Sequence, residues 1–340
     1  MRQPRYALLS GLHAVALCRD VRGLYGDPVP PPRVRHELRG CEPRGELARA
    51  VTQAIVEGTA PLGTLDVGTP GGDWRLTAVR VLGARGDVVT VESAGPPRRL
   101  HGAVGAVPCG NLVRVSPRPP EELTHEEVTF LGCSPRGALR DALAAGATEF
   151  ETVRYQVLDR TSGPQHEAEA GRVTAAADSR LHHGLVDLTV AFPRSGLIPP
   201  PTREVWDLFH GYEPPPAPGT WRRYTGTARA EWLNQAARRA HRDPRPVPGT
   251  AYALDGRGVT DEDAFLCALG EAVLGPGRAF EVGAPRALGA ELSGCTLVWH
   301  HAAVARACLG VTPLLAARRP ATFQEFVDGL RAEGVRVVLD

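Results

Sequence analysis

The side chains best suited to acid–base or metal chemistry are two adjacent histidine pairs, His182–His183 and His300–His301. Imidazole titrates near neutrality and ligates metals through either nitrogen. On a strand, however, neighbouring residues point to opposite faces, so such a pair cannot readily hold one metal. No HxxxH, HExxH, CxxC or GxSxG pattern accompanies them. No catalytic residue, metal, cofactor or enzyme activity is therefore expected. A second stretch with chemical character is "PGRAFEVGAPRALGAEL", residues 276–292. This Pro/Gly-rich loop runs into one short turn of helix and holds two carboxylates, Glu281 and Glu291, with one guanidinium, Arg286.

The chain that must position these residues has 340 of them, enough for two or three domains, with 43% hydrophobic and 23% charged. All 39 basic residues are arginine, and the formal charge of +1 gives no general affinity for nucleic acid or an anionic membrane. The seven cysteines are odd in number and sit mostly in apolar runs. Buried reduced thiols and a cytoplasmic location are expected from that usage. "MRQPRYALLSGLHAVALC" loosely imitates a signal peptide, but His13 and the Ser10–Gly11 turn interrupt its apolar stretch. A strand–turn–strand over Tyr6–Leu9 and Ala14–Cys18 is expected instead. No apolar run reaches the 18 residues of a membrane span.

An internal echo organises the N-terminal part. "GCEPRGELARAV" at 40–51 returns as "GCSPRGALRDAL" at 132–143, with seven of twelve positions identical. Each copy follows a strand-like entry, so two related, strand-rich α+β modules are expected, over residues 1–120 and 121–241. In each copy Gly and Pro break the strand, Arg-Gly completes a turn, and Leu and Ala begin a helix. Arg44 and Arg136 could hold an anion there, but the glycine spacing and lysine of a phosphate loop are missing, and a structural turn is expected. The segment "LIPPPTREVWDLFHGYEPPPAPGTWRRY" mixes prolines with Trp206, Phe209, Tyr212, Trp221 and Tyr224. It is expected to wrap a domain surface. A helix over 228–242 follows, and "DPRPVPG" makes residues 242–249 the expected linker.

From Thr250 the pattern predicts β-α-α-β-α-α-β, a small parallel sheet with helices packed on it. Thr260 with Asp263 and Thr322 with Glu325 are capping signals, and Phe265 and Trp299 are expected core residues. "YALDGRGVTDEDAFLCALGEAV", "PGRAF", "CTLVWH" and "FQEFVDGLRAEGVRVVL" resemble the barstar family, small proteins that inhibit barnase-type ribonucleases. The resemblance covers residues 250–340 only. The layout of the whole chain is similar to that of actinobacterial multidomain proteins carrying a barstar domain.

The resemblance implies a protein-binding module whose loop and second helix enter a ribonuclease's cationic active site with acidic side chains. Opposite charge speeds such an encounter and fixes its register. The family's pattern there is two aromatics, Gly, any residue, Asn, any, Asp-Ala-Leu, any, Asp, any, Leu. Anchored on Ala287–Leu288 and Leu292, the two aspartate positions fall on Arg286 and Ala290. The asparagine falls on Ala284, and only Phe280 keeps the aromatic character. An arginine facing a cationic cleft reverses the favourable charge, by roughly 4 kcal/mol at about 4 Å and an effective dielectric near 20. Glu291 lies about 100° further round the helix than Ala290 and cannot simply replace it. The partner-binding positions implied by family position are Phe280, Glu281, Arg286, Ala290 and Glu291. The expectation is an inhibitor or immunity-type protein for a changed protein partner, such as a secreted nuclease or toxin. The alternative is a scaffold protein whose N-terminal modules carry the function while the barstar-like domain is inactive.

Overall fold

The computed structural model describes the chain except residues 1–2, 30–32, 101–104, 117–123, 148–149, 151, 212–216, 241–244, 281–283 and 312–319. Tyr6–Ser10 (β1) and His13–Cys18 (β2) form the expected hairpin, turning at Gly11, and Asp20–Arg22 (β3) follows. The next stretch runs Arg33–Arg39 (β4), Gly45–Glu57 (α1), Ala60–Thr69 (β5), Gly72–Arg85 (β6) and Val88–Ala94 (β7). Three short strands complete it, Arg98–Leu100 (β8), Val107–Pro108 (β9) and Asn111–Arg114 (β10). These form one sheet in the order β10-β4-β7-β6-β5-β9, with β8 beside β6. Leu47, Ala50, Val51 and Ala54 recur at helical spacing on α1, so one face of that helix is buried in the core of this sheet.

His125–Pro135 (β11), Gly137–Ala144 (α2), Thr152–Leu158 (β12), Pro164–Asp178 (β13) and Val186–Pro193 (β14) come next. The pairing β1-β2-β11-β14-β13-β12 returns to β1 and closes a six-stranded antiparallel barrel, with β3 alongside β11. A first module over residues 1–120 is therefore not what forms. β1 and β2 are staves of the barrel made by β11–β14, because without them β11 and β12 would leave open edges. The chain divides accordingly: one compact unit takes Met1–Val29, His125–Val311 and Ala321–Asp340, and the other is built on Pro30–Thr124.

The echoed segments occupy equivalent places in the two units. β4 is followed by Gly40 and β11 contains Gly132 near its end, both at φ +59°, and each strand leads into its helix through an extended arginine, Arg44 or Arg136. Gly132 is required twice over, since a Cβ there would lie 2.2 Å from the His182 ring. The strand orders β4-β7-β6-β5 and β11-β14-β13-β12 follow the same path. The cysteines follow it too. Cys133 is disulfide-bonded to Cys18, two residues before β3, and the Cys41 thiol is hydrogen-bonded to Cys109, two residues before β10. The expectation of seven reduced thiols is corrected at Cys18 and Cys133: pairing of β2 and β3 with β11 brings together two residues 115 apart in sequence.

Beyond the barrel lie Pro200–Phe209 (α3), a 3-10 turn at Thr220–Arg223, and Gly226–Ala240 (α4). The chain continues as Ala251–Asp255 (β15), Glu262–Leu274 (α5), Pro285–Glu291 (α6), Thr296–His300 (β16), Ala302–Cys308 (α7), Phe323–Ala332 (α8) and Arg336–Leu339 (β17). β15, β16 and β17 are parallel and adjacent in that order, the predicted β-α-α-β-α-α-β path. Phe265 and Trp299 are buried, their ring centroids 5.0 Å apart, and Phe326 lies 4.4 Å from Phe265. Thr322 and Glu325 close a capping box on α8. The cap of α5 sits one residue later than predicted: Asp261 accepts from the Ala264 amide, while the Thr260 hydroxyl accepts from Arg229.

The expected boundary at 242–249 does not separate two cores. Residues 245–249 do form an irregular connection. Yet Phe209, Trp221, Tyr224 and Trp232 share one apolar cluster with Leu254, Phe265 and Trp299, while Trp206 fills the barrel interior. Proline-rich composition gave this segment the look of a surface strap. Its aromatic side chains instead bury large apolar areas on both sides, the stronger effect. Tyr212 lies outside the described residues.

Candidate functional site

The loop into α6 begins where Gly275 and Gly277 adopt positive φ after α5. Ala279 and Phe280 then turn into the core, Phe280 being 8% exposed. Glu281 lies outside the described residues. Ala284 is the N-cap without a side-chain hydrogen bond, and Pro285 starts the helix, where its missing N–H costs nothing. Leu288 and Leu292 face inward. Gly289 and Gly329 let α6 cross α8 closely, since a Cβ on Gly289 would lie 2.8 Å from the Gly329 carbonyl oxygen. What remains outside is Arg286, Ala290 and Glu291. Of the five positions carried over from the resemblance, three therefore share an exposed face with one positive and one negative charge. Phe280 is a core residue.

The histidine pairs do not converge. His300 Nδ1 is 2.7 Å from the Asp340 carboxylate, whereas His301 leaves the strand in a left-handed conformation to start α7. His182 packs over Gly132 and lies 3.3 Å from Arg19. Among the described residues, no group of three His, Cys, Asp or Glu is placed to hold a metal ion. Arg44, on the echoed turn, pairs with Glu42 at 2.7 Å, both side chains exposed.

Two further features were not visible in the sequence. The first is a buried polar cluster where α4 meets the barrel. Glu231 Oε1 accepts from Trp206 Nε1 at 2.9 Å and from Gln235 Nε2 at 2.7 Å, and His166 Nδ1 lies 3.4 Å from Oε2. Burial pushes this carboxyl up, but the bonds to His166, Trp206 and Gln235 outweigh it and hold it below its ordinary value.

The second is a cavity of about 340 Å³ next to that cluster. Its walls come from the β12–β13 turn (Asp159, Arg160), the start of β13 (Gln165), the end of α3 (Phe209, His210), the last turns of α4 (Gln235, Arg238, Arg239) and Arg278 after α5. Backbone carbonyls hold three of its guanidiniums in place. Arg238 donates to Pro164 at 2.9 Å and Gln165 at 2.7 Å, Arg239 donates to Phe209 and Gly211, and Arg278 donates to Arg239 at 2.6 Å. Burial and then Arg278 push the Arg239 guanidinium down from its ordinary value. Read in sequence, Arg238 and Arg239 only suit a helix C-terminus. Their partners Arg160 and Arg278 are too distant in the chain for spacing to connect them. Among the described residues, the lining presents four guanidiniums and the Asp159 carboxylate to a concave space. Comparisons with protein-family models, curated proteins and solved structures find no match to this chain.

Proposed function

We propose that residues 250–340 act as a non-enzymatic protein-binding module of barstar type, serving an inhibitor or immunity-type role toward a changed protein partner. The supporting observation is the mixed face of α6. The helix packs against α8 in the element order that the resemblance implies, with Leu288 and Leu292 inward. Arg286 and Ala290 stand outward where the family's two aspartates fall. A face without those carboxylates does not complement a cationic nuclease cleft. The partner it suits is a protein surface of mixed charge.

Calorimetric titration of the whole chain with a barnase-type ribonuclease tests this. No binding tighter than micromolar is expected from the natural chain, and nanomolar binding refutes the proposal. The double variant Arg286→Asp, Ala290→Asp is expected to gain at least about tenfold in affinity, the scale of one restored charge pair. A double variant no better than its parent counts against the α6 mapping. The scaffold reading draws on α3 and α4, whose aromatics enter both the barrel core and the C-terminal core.

A further inference from the structure

We propose that Cys41 and Cys109 form a redox modification site: a hydroperoxide converts their two thiols into a disulfide that staples edge strand β10 to the turn entering α1. Cross-strand register supports the assignment. In the barrel, Leu131 of β11 faces Asp20 of β3, and the Arg19 amide donates to the Leu131 carbonyl at 3.0 Å. Two steps beyond that pair, Cys133 meets Cys18 in a disulfide. In the Pro30–Thr124 unit, Arg39 at the end of β4 faces Asn111 of β10, and the Gly110 amide donates to the Gly40 carbonyl at 3.2 Å. Two steps beyond, the same antiparallel register sets Cys109 opposite Cys41. Cys41 and Cys133 also hold the same position in the two echoed segments.

Packing alone explains why two cysteines are buried, since a thiol behaves as a small apolar side chain. It does not explain why they face each other. The Cys41 amide donates to the Asp87 carbonyl at 3.0 Å, and the Cys109 amide to the Gly68 carbonyl at 2.8 Å. The two residues thus give their amides to other partners, and in antiparallel pairs without mutual main-chain bonds the side chains come closest. The other free thiols have different surroundings: Cys295 donates to the Val247 carbonyl at 3.4 Å, and Cys267 lies in the core beneath α5.

The hydrogen bond from Cys109 holds the Cys41 thiol below its ordinary value, so Cys41 ionises first. The same bond, with burial, pushes Cys109 up. Gly40 and Glu42 beside Cys41 are exposed, as are Pro108 and Gly110 beside Cys109, so a small peroxide has a short path to the pair. The Cys41 thiolate attacks one peroxide oxygen, the O–O bond breaks, and the departing hydroxide takes a proton to become water. The sulfenic acid left on Cys41 is then attacked by the Cys109 sulfur, the S–O bond breaks, and a second water leaves. Two thiols are oxidised to one disulfide while one hydrogen peroxide is reduced to two waters. β10 stands at the edge of its sheet, beside β4, and the bond closes the long loop between residues 41 and 109.

The full chain is treated with hydrogen peroxide, its remaining thiols are blocked with N-ethylmaleimide in denaturant, and it is cut with trypsin without reductant. Cleavage after Arg39, Arg44, Arg99 and Arg114 is expected to release peptides 40–44 and 100–114 joined, lighter by two hydrogens than their sum. Cys267, Cys295 and Cys308 are expected to carry maleimide. Hydrogen exchange at the β10 amides is expected to slow at least about tenfold on oxidation. In Cys109→Ala, dimedone is expected to trap the sulfenic acid on Cys41. Peptides 40–44 and 100–114 recovered unlinked after peroxide overturn the proposal. Joined peptides with unchanged β10 exchange refute the staple. Dimedone on Cys109 of Cys41→Ala, as readily as on Cys41 of Cys109→Ala, refutes Cys41 as the attacking thiol.

Discussion

Glu231 keeps its charge inside an aromatic enclosure because Trp206, Gln235 and His166 all turn polar atoms toward it. Its folded-state pKa lies below that of an unfolded glutamate, so it contributes stability above the unfolded value, near 4.3, and loses it as pH falls through the folded value. Glu231→Gln is expected to cost about 1–3 kcal/mol at pH 7, the scale of disrupted buried hydrogen bonds. Chemical denaturation of variant and parent along a pH series should show that gap narrowing below about pH 4. A gap that stays constant would mean that the amide substitution, not the charge, sets the loss. The sequence offered Glu231 only as one polar residue on a helix ending in basic groups. Its meaning comes from β13 and α3, which bring His166 and Trp206 to it.

At the scale of elements, α8 and α6 differ in how openly the sequence declares them. Thr322 and Glu325 announce the start of α8 and form the box that was read from their spacing. Thr322→Ala is expected to cost about 1 kcal/mol in equilibrium unfolding. α6 has no side-chain cap and is only seven residues long, too short to persist without its neighbour. It depends on the contact at Gly289 and Gly329. Gly289→Leu should therefore cost more than the lost cap, about 1–3 kcal/mol from overpacking, and should displace α6 from α8. Proton–deuterium exchange at the α6 amides would report that displacement. Unchanged protection there would show that the crossing tolerates a side chain. Neither glycine is distinguished in the sequence from the many that make turns.

Across the whole molecule, cores and chain segments do not coincide. The barrel takes strands from both sides of the Pro30–Thr124 unit. The C-terminal core takes Phe209, Trp221 and Trp232 from before the proline-rich connection. Arg229, 4% exposed, donates to Thr260 and Asp261 across that same connection. A fragment beginning at residue 250 loses these aromatics and exposes Leu254, Phe265 and their neighbours. It is expected to lack a cooperative thermal transition and to bind a hydrophobic dye. A sharp transition in the 250–340 fragment, with near-ultraviolet dichroism from Trp299, would show that the C-terminal sheet is self-sufficient.

The amino-acid sequence by itself determined the local features: the β1–β2 hairpin, the echoed strand–turn–helix, the capping box of α8, and the three parallel strands with their helices. Each rests on periodicity or backbone chemistry within a dozen residues, so a linear reading reaches it. Only the tertiary structure decided which strands close the barrel, which cysteines meet, which face of α6 stays outside, and where four arginines surround one cavity. Those outcomes depend on contacts between residues tens to hundreds of positions apart. Edge pairing and burial of large aromatics select them, and neither leaves a pattern in local spacing.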